Sequence, residues 1–315
     1  MPVPLELRDN QGVPALFLLL IAAACLLTTH LLPRWRGQVH TPGASLLLWQ
    51  AVSVAAILAG VLLAPVAVLG FVREGQELPD PVAHLPMVLI ALLVSGVLLG
   101  RLALRGHRVG TALRTSRRQH RELIDLLALD PGDEPLLDVR RWRALGGTPH
   151  SLTVLAHAAP TAYCVPGLSS RVVVSDTVRD ALGPVGLRAV LAHELTHLRQ
   201  RHDLILEFFT VLHTAVPSAL RSDRGLDRGR LMVELLADRG AVQVVGRSPV
   251  ARAIVLLADA PHPAGAMGTG GAPAAVRLQR LADTRSYTAQ TVTLGVISAL
   301  LVALPLVVTA RALIG

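Results

Sequence analysis

Hydrophobic and polar positions divide this chain into two textures. Four apolar stretches, from about Val13 to Leu32, Ser45 to Val72, Leu85 to Leu104 and Thr291 to Ala310, run with almost no charge. Each can cross a hydrocarbon layer of about 30 Å as a helix. Between the third and fourth stretches the pattern becomes that of a water-facing domain, from about Gly106 to Gln290. The spacing there predicts a helix continuing out of the third stretch over Thr111–Leu129, a loop at Asp130–Pro135 and a short helical piece at Arg140–Leu145. Three β-favouring runs follow, Ser151–Leu155, Ala162–Val165 and Arg171–Ser175, separated by Pro and Gly. A helix with Pro184 in its first turn buries Leu187, Val190, Leu191 and Leu195. Ser222 is placed to cap a further helix through Leu231–Asp238. Pro261–Pro273 reads as a flexible Gly/Ala/Pro loop with no packed role, and Ala275–Ala282 as a short basic helix returning to the membrane. The expected organisation is three spans within residues 1–105, a domain over 106–290 and a fourth span within 291–315.

Composition supports this division. The chain is 52% hydrophobic and 17% charged, too apolar for an ordinary soluble protein. Ala22–Ala24 before Cys25 resembles a lipoprotein cleavage site, but Glu6 and Asp9 offset Arg8 in the leader and the apolar run continues past Cys25, so an uncleaved span is expected. Arg34 and Arg36 follow the first span, and Arg101, Arg105, Arg108, Arg114, Arg117 and Arg118 crowd the end of the third; the loop after the second carries Glu74, Glu77 and Asp80. The positive-inside rule then puts the domain in the cytosol and both termini outside, in a plasma membrane. Net charge is +8, and every basic residue other than histidine is Arg. The basic cluster suits topology and anionic membrane lipid, and direct nucleic-acid binding is not expected. Cys25 and Cys164 fall in different compartments of this scheme and form no disulfide framework.

The candidate chemistry lies in His193-Glu194-Leu195-Thr196-His197. Helical spacing aims His193 and His197 at one metal ion, with Glu194 beside them to take a proton from a bound water. This is the spacing of a zinc peptidase with one Zn2+ per chain. Two histidines leave a catalytic zinc one protein ligand short. Glu234, which shares a helix face with Asp238, is the candidate third ligand, and Asp238 is suited to fix the tautomer of a ligand histidine. Spacing alone equally allows both to be solvated charges paired with Arg230 or Arg239. Tyr163, His202 and Arg239 are candidate donors to a developing oxyanion, and the sequence does not choose among them.

HELTH, the downstream V-E-L-L-A-D-R and the preceding A-Y-C-V-P-G…R-V-V-V-S together resemble the BlaR/MecR-type antirepressor membrane metallopeptidases, an HExxH gluzincin-like group. More distantly the chain is similar to the HtpX and CAAX-prenyl-protease group. The first resemblance implies an α-helical polytopic membrane protein with four transmembrane helices and a cytosolic α+β zincin-like metalloprotease domain. It implies His193, His197 and Glu234 as zinc ligands, Glu194 as acid/base and Asp238 behind the ligands. It further implies cleavage of a cytosolic or membrane-proximal protein, either a BlaI/MecI-type repressor or the protease itself. The β-lactam receptors of that group carry an extracellular penicillin-binding domain after the fourth span; this chain stops at Gly315, so that sensor is expected to be absent. His202 stands where many relatives place an acidic residue, with Asp203 beside it. Two other readings are a housekeeping protease that clears damaged membrane proteins and a non-catalytic signalling scaffold with a structural zinc. A homodimer in the membrane is compatible with all three.

Overall fold

A computed structural model describes residues 12–74, 85–127, 139–147, 152–218, 221–258, 267–268 and 273–314. The expected loop at Asp130–Pro135 lies outside them. Four helices are long and apolar enough to cross a membrane: α1 (Gly12–Leu31), α2 (Pro42–Glu74), α3 (Leu85–Leu127) and α10 (Thr288–Ile314). Between α3 and α10 come α4 (Val139–Ala144), β1 (Leu152–Leu155), β2 (Ala162–Val165), β3 (Arg171–Ser175), α5 (Asp176–Arg199), α6 (His202–Ala215), α7 (Asp223–Val245), α8 (Arg247–Leu257), β4 (Met267–Gly268) and α9 (Ala274–Ala282). The chain is thus mostly helical, with one small sheet.

The helix α2 is the hub of the apolar bundle: α1, α3 and α10 all pack on it. Small residues are prominent among its buried positions, including Ala55, Ala59, Ala64 and Ala67, as expected where association depends on close packing. Gly60 marks the tightest approach, since a Cβ there would lie 2.6 Å from Leu98 Cδ2 of α3. At that crossing Ser95 donates to the Gly60 carbonyl at 2.7 Å and accepts from the Ala64 N–H at 3.2 Å. Arg73 closes the far end, donating to the Ala312 and Leu313 carbonyls, each at 2.8 Å; these are carbonyls of the last turn of α10, which a helix leaves unpaired.

Three connections fasten the domain to the bundle. The first is α3, which runs unbroken past its apolar part and packs on α6, with Arg117 Nη1 3.6 Å from Asp203 Oδ2. In the second, α7 rests on the start of α2, where Leu46 and Trp49 share a core with Phe209, Leu231, Met232 and Leu235. The α1–α2 connection makes the third by docking on the entry to α10: His40 stacks on Tyr287 at 4.5 Å, and Gln290 donates to the Gly37 carbonyl at 2.9 Å.

The sheet has strand order β1-β3-β2-β4, with β1 parallel to β3 and the other pairs antiparallel. The expected strands at 152–155, 162–165 and 171–175 form its first three members. Pro261–Pro273 had no assigned packing, yet Met267–Gly268 pairs with Cys164 and Tyr163 of β2; Pro273 is the N-cap of α9, and the rest of that segment lies outside the described residues. Alternation of side chains divides β2 between two cores. Ala162 and Cys164 face α5, while Tyr163 and Val165 pack with Ile124 of α3.

Candidate metal centre

The HELTH helix is longer than its pattern predicts. Helix α5 begins at Asp176, and a break at Gly183 (φ 64°, ψ −178°) separates its first turns from the stretch that Pro184 opens. The sequence shows only that second stretch, because a left-handed glycine and a proline together imitate a helix start. From Ala189 to His197 every residue is buried. The sheet, α6, α7 and α8 enclose this segment, so its histidines lie in the centre of a core.

The helix α7 crosses α5 closely because Gly240 has no side chain: a Cβ there would sit 2.3 Å from Thr196 Oγ1. Ser222 occupies the N-cap of α7, but its side chain makes no capping bond, contrary to the sequence expectation. This crossing brings Glu234 to the histidines. His193 Nε2 and His197 Nε2 are 3.1 Å apart, His193 Nε2 and Glu234 Oε2 3.4 Å, and His197 Nε2 and Glu234 Oε1 3.4 Å. Among the described residues this trio is the group of His, Cys, Asp and Glu side chains able to share one ion. An ion held tetrahedrally by bonds of ~2.0–2.1 Å keeps its ligand atoms about 3.3 Å apart. The separations found match that spacing. Among the described residues Glu234 Oε2 is buried without a hydrogen bond of normal geometry, its near neighbours being the His193 ring at 3.4 Å and the Arg277 guanidinium at 3.3 Å.

Protonation differs between the two histidines, and an ion held by His193 displaces its proton. Burial, with His193, His202 and Arg277 nearby, holds His197 well below the usual imidazole range, hence neutral and able to ligate. Burial also lowers His193, but hydrogen bonds to Asp238 and Glu234 outweigh it and raise it to about 9. Asp238 Oδ1 lies 3.0 Å from His193 Nδ1, which fixes that nitrogen as the proton carrier and leaves Nε2 to face Glu234. Glu194 is fully buried beside the trio; among the described residues neither of its oxygens accepts a hydrogen bond of normal geometry, and the buried Cys164 thiol is the side-chain donor that interacts with it. Burial is the main cause that pushes its carboxyl up to about 7, in the range of a general base working near neutrality.

One member of the site escaped sequence reading. Arg277, on α9 and 1% exposed, donates to both oxygens of Asp238 at 2.8 and 2.5 Å and places Nη1 3.3 Å from Glu234 Oε2. Arg230 pairs instead with Asp227 at 3.2 Å, and Arg239 is exposed. The solvated pairing open for Glu234 and Asp238 is therefore not what forms. A signal for Arg277 exists in its helix: it lies three residues after Ala274 and four before Leu281, both packed on the domain core. A cation at a core-facing position of an amphipathic helix implies a buried partner.

The three candidate oxyanion donors lie apart from one another. The Tyr163 side chain is on the face of the sheet opposite α5, 5.2 Å from the His120 ring, and burial pushes its phenol up to about 12. Arg239 points to solvent. His202 is buried behind His197, its Nδ1 3.0 Å from His197 Nδ1 and its Nε2 3.1 Å from Gln200 Oε1. It thus touches the side of His197 remote from Glu234. Asp203 is buried as well, between Arg117 and Arg201 at 3.6 Å from each. Cys164, from β2, lies in the core beside α5, and like Cys25 is a free buried thiol.

Residues 141–284 match the family model of peptidase family M48. The match spans HELTH, Glu234, Asp238 and Arg277 and supports a metallopeptidase. No curated protein and no solved structure gives a significant match to the chain.

Proposed function

We propose that this protein is an integral-membrane zinc metalloendopeptidase whose domain faces the cytosol of a plasma membrane and cuts a cytosolic or membrane-proximal protein. The observation that carries this reading is the buried triangle of His193, His197 and Glu234 atoms with the buried Glu194 carboxylate at its side. His193, His197 and Glu234 would hold the ion. When bound it supplies Lewis acidity, which lowers the pKa of water and polarises a carbonyl.

The chain's own residues then divide the work. Glu194, with its carboxyl near neutrality, takes the proton of the attacking water and returns it to the leaving nitrogen. Asp238 holds the His193 ring through Nδ1 and is itself held by two Arg277 donors. A structural metal gains nothing from a further buried carboxylate, so Glu194 argues against the scaffold reading. Arg34 and Arg36 just after α1, and the arginines from Arg101 to Arg121 of α3, favour the cytosolic placement.

A regulatory role of the BlaR/MecR type, with a BlaI/MecI-type repressor or the protease itself as target, rests on the combined HELTH and V-E-L-L-A-D-R motifs. Comparative proteomics of cells carrying the native or Glu194→Ala protein tests both levels. The expected result is one or a few fragments produced by the native protein alone, with metal content equal in the two. Identical fragment profiles refute the enzyme. Fragments drawn from many membrane proteins refute regulation in favour of quality control.

A further inference from the structure

Helices α1 and α3 both pack on α2 and make little contact with each other. Between them lies a cavity of about 620 Å3, floored by α2 and bounded at the domain end by α6 and the start of α7. Its volume falls within the roughly 300–1,000 Å3 of small-molecule sites. The walls between the helices are apolar, with Leu26, Ile57, Leu93 and Val97 among them. The domain end carries Arg101 and Arg221. Both are half-buried. Arg101 Nε donates to the Ala215 carbonyl at 2.6 Å, and Arg221 Nη2 to that of Val216 at 3.4 Å. Among the described residues Arg221 Nε is buried with no hydrogen-bond partner. Neither guanidinium forms an ion pair among the described residues. His213 on the same rim is engaged by Asp223 at 2.6 Å and neutralises neither.

A pocket with a dry, chain-shaped body inside a membrane bundle and two uncompensated guanidinium groups at its mouth is complementary to one membrane component. We infer that this cavity binds an anionic glycerophospholipid, its phosphate between Arg101 and Arg221 and an acyl chain between α1 and α3. A zwitterionic lipid brings its own cation to the mouth and loses the advantage; a free phosphate leaves the apolar body unfilled. Basic pockets between spanning helices on the cytosolic side have this selectivity in general. The seat adjoins the protease domain, because Trp49 and Gly225 line it and a Cβ on Gly225 would meet the Trp49 ring at 3.2 Å. Its occupancy therefore bears on the first turn of α7, the helix that carries Glu234. The lipid seat itself does not depend on the peptidase reading.

The test uses the full chain, delipidated in a neutral detergent, with phosphatidylglycerol, phosphatidylcholine of the same acyl chains, or glycerol phosphate added. Native mass spectrometry reads the adducts and a thermal scan reads the stability. Phosphatidylglycerol is expected to be retained where phosphatidylcholine is stripped, and to raise the melting temperature. Arg101→Gln and Arg221→Gln should each weaken retention about fivefold, and the pair about thirtyfold. Val97→Phe, which narrows the cavity and leaves both charges in place, should also lose the adduct, while Arg221→Lys keeps most of it. If the glutamine variants do not fold, Val97→Phe and Arg221→Lys still decide. Equal retention of both lipids, or a wild-type adduct in Val97→Phe, overturns the inference in favour of an annular lipid. Equal binding of glycerol phosphate overturns it in favour of a simple anion site. A co-purifying membrane peptide that phosphatidylglycerol does not displace overturns it as well.

Discussion

Replacing Arg277 by Met removes the guanidinium that touches both Asp238 and Glu234 and leaves a side chain of similar length. The guanidinium is 1% exposed and makes three close contacts with two buried carboxylates, themselves 2% and 6% exposed. Breaking one side of a buried pair costs about 3–5 kcal/mol, far more than the ~0–1 kcal/mol of a surface pair. For a folding unit of 150–250 residues each kcal/mol lowers the melting temperature by roughly 2–4 °C. The metal-free Arg277→Met protein should therefore melt about 6–20 °C below the native one in a detergent thermal scan. A divalent ion beside Glu234 replaces part of the missing positive charge, so adding metal should narrow the gap. Asp238→Asn removes the main reason for the cation, and the double variant should lie well above the sum of the single losses. A metal-free shift under about 2 °C, or strict additivity, would refute a buried network centred on Arg277.

Three further outcomes follow from the same geometry. Asp238→Asn frees the His193 ring and should weaken metal binding about 10–100-fold in equilibrium dialysis; unchanged affinity would detach Asp238 from the site. Stripping the ion with a chelator should destabilise the protein by about 4 kcal/mol if the ion was present at a thousand times its dissociation constant, read as a lower apparent melting temperature that returns when zinc is restored. Gly240→Ala should destabilise the domain by about 1–3 kcal/mol despite alanine's better helix propensity, because the new methyl overlaps Thr196. Thr196→Ala, which removes both nearest atoms, should restore most of that loss, and a stabilised single variant would contradict the tight α5–α7 crossing.

What could be read in advance was periodic or local. Long uncharged runs marked all four candidate spanning helices, since length and apolarity alone decide whether a helix suits a bilayer. Runs of β-favouring residues and Pro/Gly punctuation marked β1, β2 and β3. The i, i+4 rule put His193 and His197 on one side of their helix before any tertiary contact was known. By contrast β4 holds two residues in a Gly-rich stretch and has no pattern of its own; only the edge of β2 makes it a strand.

Glu234 and Asp238 share a helix face by spacing, but what that face meets is decided by Gly240, whose missing side chain lets α7 lie against Thr196. His202 and Tyr163 looked equivalent as polar residues near the motif, and only the packing put one behind His197 and the other across the sheet. Arg277 lies 39 residues beyond Asp238 in sequence, and no local period links them. Sequence thus determined the spanning helices, three of the strands and the helical half of the site, because those depend on residues within a turn or two of each other. The tertiary structure decided the third carboxylate and its guanidinium, because opposite charges buried from water must meet, and the chain path that lets them do so is set by the whole core.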